Sequence, residues 1–363
     1  MKRILKSYKI INDPVYGFIN IPSELIFAVI DHPYFQRLRR IKQLGLTDMV
    51  YPGALHTRFH HAIGAMHLMS ITLDQLRNKG IEISDQEYEA ALLAILLHDI
   101  GHGPFSHALE SILLKGQHHE TLSLLFFDEL NKQFNGQLSM AKDIFVGSYE
   151  RKFFHQLVSS QLDIDRLDYL QRDCFFTGVS EGTIGADRII KMMTIINDEV
   201  VIEEKGIYSI ENFLNARRLM YWQVYLHKTT VCAEKMLINL ILRAKHLARS
   251  GVILPGSIEF LGFLKKDLPQ KNSPGTPIWL NDFAQLDDLD IWGAIKLWKN
   301  TDDFVLKEIS KMFLTRNLFK IHFSNTPFKR AEIDKLRLKT QKKLAVSDDE
   351  LKYFFSEGEI SNY

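Results

Sequence analysis

The chain has 363 residues, enough for a sizeable core and for about two domains at roughly 150 residues each. It is 46% hydrophobic and 25% charged, with 45 Lys plus Arg against 44 Asp plus Glu. That balance excludes a disordered, collagen-like or coiled-coil chain, and it gives no global field to recruit nucleic acid or an anionic membrane. Two cysteines, Cys174 and Cys232, cannot make a disulfide framework and fit a reducing compartment. Met1-Lys2-Arg3-Ile4-Leu5-Lys6 has no apolar run behind its charges. The longest strongly apolar run, Ala90 to Leu97, falls short of the about 20 residues that span a bilayer. A cytoplasmic protein with no membrane contact is expected.

In chain order, residues 22–44 read as helix, with a basic stretch from Arg37 to Lys42. Residues 60–78 show helical spacing. Ser84-Asp85-Gln86-Glu87 is a capping box opening a helix whose apolar side holds Leu92, Leu93, Ile95, Leu96 and Leu97. Gly101, Gly103 and Pro104 end it. Residues 119–133 and Leu162 to Arg172 read as further helices. Thr194 to Ile202 reads as a β-hairpin turning at Asn197-Asp198. From Ser209 a helical pattern runs to about Arg249, Pro255 to Pro277 is loop-rich, and residues 281–363 read as short helices with a strand near Phe319 to Phe323. The expected fold is mainly α: a helical core over residues 1–250 and a smaller C-terminal α+β region over 251–363, packed on the core or placed in oligomer contacts.

Nine of the 14 histidines fall between residues 56 and 119. Such crowding, with Asp and Glu among them, suggests a metal or phosphate site. The sharpest block is His98-Asp99-Ile100-Gly101-His102-Gly103-Pro104-Phe105-Ser106-His107, where adjacent His and Asp at a helix end can face one cation. Arg58-Phe59-His60-His61 lies upstream. Downstream, Asp163 to Asp173 places Asp165, Tyr169 and Asp173 on one helix face at i, i+4 and i+8. Taken alone, that stretch also describes a solvated helix laced with ion pairs. Tyr221, Trp222 and Tyr225 likewise describe a buried aromatic helix.

Together these segments resemble the HD-domain phosphohydrolases and, more narrowly, the deoxynucleoside triphosphate triphosphohydrolases. The resemblance runs from about Ile11 to Lys228 and includes Asn12-Asp13-Pro14, Phe35-Gln36-Arg37-Leu38-Arg39, Gln43-Leu44-Gly45, Pro52-Gly53-Ala54, the His98 to His107 block, His119-Glu120 and the Asp163 to Asp173 block. It implies that His61, His98, Asp99 and Asp165 bind a metal. Their mixed N/O set suits Mn²⁺, Fe²⁺ or a similar ion, with Mg²⁺ on the triphosphate as a further expectation.

It further implies His107 as general acid oriented by Glu110, His102 and His119 on phosphate oxygens with Glu120 in support, and Arg58, Arg166 and Arg217 neutralising a triphosphate. Gln43, Tyr169 and Asp173 would surround the sugar with Tyr225 against its 2′ edge, and His227 and Lys228 would line the nucleotide pocket. Lys9, Asp31, Gln36 and Arg39 match a site that, in some members, binds an activating guanine nucleotide between subunits; a homo-oligomer is expected. Three departures stand out: His60 where an acid is common, Glu110 for Asp, and Arg166 for Lys. The competing readings are another HD nucleotidase or phosphodiesterase, and a nucleotide sensor or nucleic-acid binder using Arg37, Arg39, Arg40 and Lys42 with a vestigial site.

Overall fold

The computed structural model describes residues 9–114, 116–265 and 277–359. The chain opens with an antiparallel hairpin, β1 (Lys9–Asp13) and β2 (Gly17–Ile21), that sequence pattern does not announce. Asp13 makes its turn by accepting from the backbone N–H groups of Val15 and Tyr16, and Gly17 follows at φ +73°.

The helix expected over 22–44 is three short pieces. Helix α1 (Glu24–Asp31) stops at His32, and α2 (Pro33–Gln36) begins at once. A residue before proline is driven out of the α region, and His32 sits at ψ 138°, serving as C-cap of one helix and N-cap of the next. A 3₁₀ turn, Arg37–Arg40, then gives way to extended backbone at Ile41.

The central layer holds α3 (Arg58–Asn78), α4 (Asp85–Leu97) and, after α5 (Ser106–Leu113), α6 (His119–Gln133), α7 (Ser139–Val146) and α8 (Lys152–Val158), the helix α9 (Ile164–Thr177). Helix α3 packs against both α4 and α9. The Ser84–Glu87 capping box forms as expected. Every residue from Ala90 to Leu97 is buried, so the apolar run is a helix enclosed on all sides.

After α10 (Ala186–Met192), β3 (Met193–Ile196) and β4 (Glu199–Ile202) form the expected hairpin. Asn197 and Asp198 both have positive φ, as a two-residue hairpin turn demands. The long helix expected over 209–249 is broken. Helix α11 (Ile207–Met220) runs into one π-helical turn at Tyr221–Tyr225, and α12 (Lys228–Arg249) starts afresh with His227 accepting from the Thr229 N–H.

The C-terminal region differs from the α+β expectation. Among the described residues it holds α13 (Ile258–Lys265), α14 (Trp279–Phe283), α15 (Asp288–Trp298), α16 (Phe304–Leu314), α17 (Arg330–Leu344) and α18 (Asp348–Phe354), and no strand. Phe319 to Phe323 has the side-chain pattern of a strand, but no second segment among the described residues pairs with it, and an unpaired strand lacks the ladder that defines a sheet. Part of the loop-rich 255–277 stretch is helix α13; the rest, 266–276, lies outside the described residues. Helices α13, α16 and α18 pack on α12.

Candidate metal and nucleotide site

Three elements bring the expected metal ligands together. His61 lies in the first turn of α3, His98 caps the C-terminus of α4 with Asp99 just beyond, and Asp165 lies in the first turn of α9. His61 Nε2 is 3.0 Å from Asp165 Oδ1, 3.3 Å from His98 Nε2 and 3.9 Å from Asp99 Oδ2. His98 Nε2 is 3.4 Å from both Asp99 Oδ1 and Asp165 Oδ1.

Each imidazole is held from behind. His61 Nδ1 donates to Asp168 Oδ2 at 2.7 Å, and His98 Nδ1 donates to the Ile95 carbonyl at 2.6 Å. A neutral ring whose Nδ1 carries the proton presents its Nε2 lone pair, and here both lone pairs face the same point as two carboxylates. Four acceptors at that spacing repel unless protons or a cation lie between them. The donor set therefore fits a divalent transition metal.

Asp168 is itself fixed. It accepts two bonds from Arg172, each 2.9 Å, and Arg172 donates to Asp13 at 2.7 Å. Gly64 makes room for this pair: a Cβ there would lie 1.9 Å from Arg172 Nη2 and 2.2 Å from Asp168 Oδ1. The sequence reading missed Asp168, Arg172 and Asp13. The signal was present, since Asp165, Asp168 and Arg172 stand at i, i+3 and i+7 on one helix face.

Electrostatics follow the geometry. Burial alone would push the His61 imidazolium down, but the Asp165 and Asp168 carboxylates outweigh it and raise it to about 10. Burial likewise opposes, and Asp99 and Asp165 reverse, so that His98 is also raised. Asp165 and Asp99 are held below the usual carboxylate range against their burial, Asp165 by His61 and His98, Asp99 by His98, His102 and Arg58. Asp168 is lowered to about 2 because Arg172 and His61 overcome its burial.

A second group lies beside the first. His102 Nε2 reaches Asp99 Oδ1 at 3.2 Å, and its ring stacks on His119 at 4.0 Å between centroids. Glu110 pairs with His119 at 3.0 Å and with His118 at 3.2 Å. Glu120 stands 3.4 Å from His119. Glu110 thus holds His119, a partnership the sequence reading did not anticipate. Its carboxylate reverses the burial effect on His119 and raises that imidazole. His107 lies in the first turn of α5, and its side chain is outside the described ones.

The expected substrate residues line the other side. Asp173 is buried and accepts from Tyr225 Oη at 2.8 Å and from His56 Nε2 at 2.7 Å; His56 was not anticipated. Tyr169 stands edge-on to Tyr225 at 6.2 Å and to His61 at 6.5 Å. Gln43 Oε1 is buried with no partner among the described residues. Arg58 donates to Asp99, Arg166 pairs with the α9 N-cap Asp163, and Arg217 donates to Gln161 at 3.1 Å. His60 accepts from the Thr57 N–H, supplying the return bond of a capping box that an acid would otherwise give. His227 caps α12, and Lys228 is exposed beside it.

The expected regulatory residues gather around α1 and α2. Arg39 donates to Gln36 at 2.9 Å and lies over the Phe59 ring, and Gln36 donates to the Ile30 carbonyl next to exposed Asp31. Lys9 lies 4.9 Å over the Phe27 ring. No helix among the described residues is long and apolar enough to cross a membrane.

Comparison with known proteins matches residues 58–173 to the HD domain and 184–250 to the HD associated region. The uncharacterized protein YwfO of Bacillus subtilis is 34% identical over 322 residues, 87% of this chain and 72% of that protein. The deoxynucleoside triphosphate triphosphohydrolase SAMHD1 homolog of Dictyostelium discoideum is 32% identical over 275 residues, 70% of this chain; the chain spans 53% of that relative. A crystal structure of a phosphohydrolase from Bacteroides thetaiotaomicron superposes with a TM-score of 0.93 at 54% identity, covering 95% of this chain and 86% of that one.

Proposed function

We propose that this chain, which belongs to the HD-domain phosphohydrolases, hydrolyses dNTPs to a deoxynucleoside and inorganic triphosphate. The observation that carries the reading is helix α9, which presents Asp165 to the metal cluster and, two turns on, Asp173 to the Tyr225 and Tyr169 wall. One rigid element then sets the distance between the cation and a sugar. The dNTP class comes from the Dictyostelium discoideum relative.

His61, His98, Asp99 and Asp165 would hold a divalent transition metal, which supplies Lewis acidity and an acidified water for phosphorus attack. The residues of the chain do the rest. Arg58, Arg166 and Arg217 bind and neutralise phosphate oxygens, and His119, whose imidazole Glu110 raises, donates to them alongside His102. His107 donates the proton that the departing 5′-oxygen needs. Gln43 Oε1, buried without a partner among the described residues, and Asp173 accept from the sugar hydroxyl. The Tyr225 ring fills the space that a 2′-hydroxyl would need.

A second reading is a nucleotidase or phosphodiesterase acting on monophosphates or cyclic nucleotides. It is favoured by one observation: Arg58 and Arg166 are already paired with carboxylates, leaving less free positive charge for a triphosphate. The deciding experiment incubates metal-loaded protein with each of the four dNTPs and separates the products. Inorganic triphosphate supports the first reading, and release of monophosphate or pyrophosphate sinks it. Lys9, Asp31, Gln36 and Arg39 are proposed to take a guanine nucleotide between two copies of the chain. Equal rates with and without added GTP, at every concentration, would remove that proposal.

A further inference from the structure

Asp288 stands at the start of α15, far along the chain from the site, and is 3% exposed. Its carboxylate does not serve its own helix. Asp287 caps α15 by accepting from the Leu289 N–H, and Asp290 returns the bond to the Asp287 N–H. The Asp288 oxygens instead reach two distant backbone groups. Oδ1 accepts from the Phe105 N–H at 3.0 Å, and Oδ2 accepts from the Lys42 N–H at 2.9 Å.

The two donors lie at helix starts in different ways: Phe105 is the N-cap of α5, and Lys42 pairs with Thr57, the N-cap of α3. Phe105 has left-handed backbone, φ 48° and ψ 37°, which a non-glycine residue keeps only when its surroundings impose it. It directly precedes Ser106 and His107, and its carbonyl accepts from the Ala108 and Leu109 N–H groups in the first turn of α5. Lys42 bridges to Thr57, with Gln43 donating to the His56 carbonyl and Arg58 donating to the Ile41 carbonyl. That short ribbon fixes the start of α3, which carries Arg58 and His61. From the same helix as Asp288, Trp292 packs edge-on to the Phe105 ring at 6.2 Å.

We infer that Asp288 is a positioning residue for hydrolysis, a strut from the C-terminal region that sets the His107-bearing start of α5 against the metal-binding start of α3. A buried carboxylate is costly unless its oxygens are used, and both are spent on these two segments. Burial pushes its carboxyl up to about 6, while the Lys42 and Phe105 N–H bonds pull the other way. The C-terminal region thereby shapes the reaction without touching substrate.

The test uses the full-length, metal-loaded protein and rests on the proposed dNTP hydrolysis only for its substrate. Asp288→Asn keeps the shape but replaces one acceptor oxygen by an amide that cannot accept. The expected result is a kcat lower by about tenfold or more with unchanged metal content and little change in KM, because misplacement near 1 Å can cost about 100-fold. Amide hydrogen exchange across residues 103–109 should speed up in parallel. Asp287→Asn, which breaks the Arg40 ion pair while its amide oxygen can still cap α15, is the control and should lower Tm while leaving kcat per metal-loaded molecule unchanged.

A kcat for Asp288→Asn within twofold of the unmodified protein overturns the inference, as does an equal loss in Asp287→Asn. If Asp288→Asn does not fold, exchange in the unmodified protein decides. Phe105 and Lys42 amides protected as strongly as those of α15 support the strut, and exchange at the rate of an open loop overturns it. If the unmodified protein releases no triphosphate from any dNTP, the proposed function fails separately. The same variants are then compared on metal-dependent hydrolysis of bis(p-nitrophenyl) phosphate.

Discussion

The two histidine groups share Asp99 and His102 as a border, yet they are built differently. In the first, His61 is wholly enclosed, and it and His98 are each held from behind by Asp168 or the Ile95 carbonyl. In the second, the His118 side chain is 79% exposed and shares Glu110 with His119. Enclosed, back-anchored rings cannot turn, so their Nε2 atoms form a fixed donor set. Rings that share one carboxylate near solvent are free to reorient, and Glu110 raises the His119 imidazole of that pair. Under the proposed function, the difference teaches that residue type alone does not separate a metal ligand from a phosphate contact; what stands behind each ring does.

The sharpest way to break this comparison is to remove a member of the first group. Asp165→Ala should lose metal and activity together, the activity to background, as read by elemental analysis and turnover. Full metal occupancy in that variant would mean the donor set is elsewhere. Next, His119→Ala should keep its metal yet turn over about 100-fold more slowly, and His107→Ala should behave alike, the usual scale for a lost proton donor. Metal loss in His119→Ala would merge the two groups into one.

Asp168→Asn touches no metal directly. It should weaken metal affinity by about 10-fold to 100-fold, measured by competition with a chelator, because it loosens the ring that it holds. Unchanged affinity would show that the rear hydrogen bond is not what fixes His61.

The pH dependence has a definite sign. The metal needs neutral His61, but the metal-free ring is raised to about 10, so binding releases its proton. Apparent metal affinity should therefore rise by at least about tenfold per pH unit across the neutral range, more where raised His98 also releases a proton, flattening as the pH nears that value. Metal-free protein should show the opposite trend in stability. The raised His61 contributes fully below the ordinary imidazole value of about 6.5 and is lost as pH climbs toward about 10. Thermal melts of both forms across that window test the two slopes together.

The smallest effect concerns the sugar wall. Tyr225→Phe removes the hydroxyl that donates to Asp173 but keeps the ring. It should raise KM by about threefold to tenfold, the worth of one hydrogen bond, while dNTPs stay preferred over rNTPs. Tyr225→Ala should instead admit rNTPs. An rNTP gain in the Phe variant would assign selectivity to the hydroxyl rather than to the ring.

Some of this was legible in the residues alone. The capping box at Ser84, the enclosed run from Ala90 to Leu97 and the turn at Asn197-Asp198 depend on neighbours within a few positions, and local rules reach that far. The resemblance placed His61, His98, Asp99 and Asp165 as one set, and they converge. What local rules could not decide was whether the Asp163 to Asp173 block was a solvated charged face or a buried one. Tertiary packing buries Asp168, Arg172 and Asp173, because α9 lies against α3 and Gly64 lets them close. The strand expected near Phe319 failed for the converse reason: with no pairing strand among the described residues, the exposed segment has no ladder to join, and the Phe319 backbone turns to Met236 and Cys232 instead. The contact from Asp288 to Phe105 spans 183 positions, and that between His61 and Asp168 spans 107. No local preference encodes such a separation; only the folded chain brings those groups within a hydrogen bond's reach.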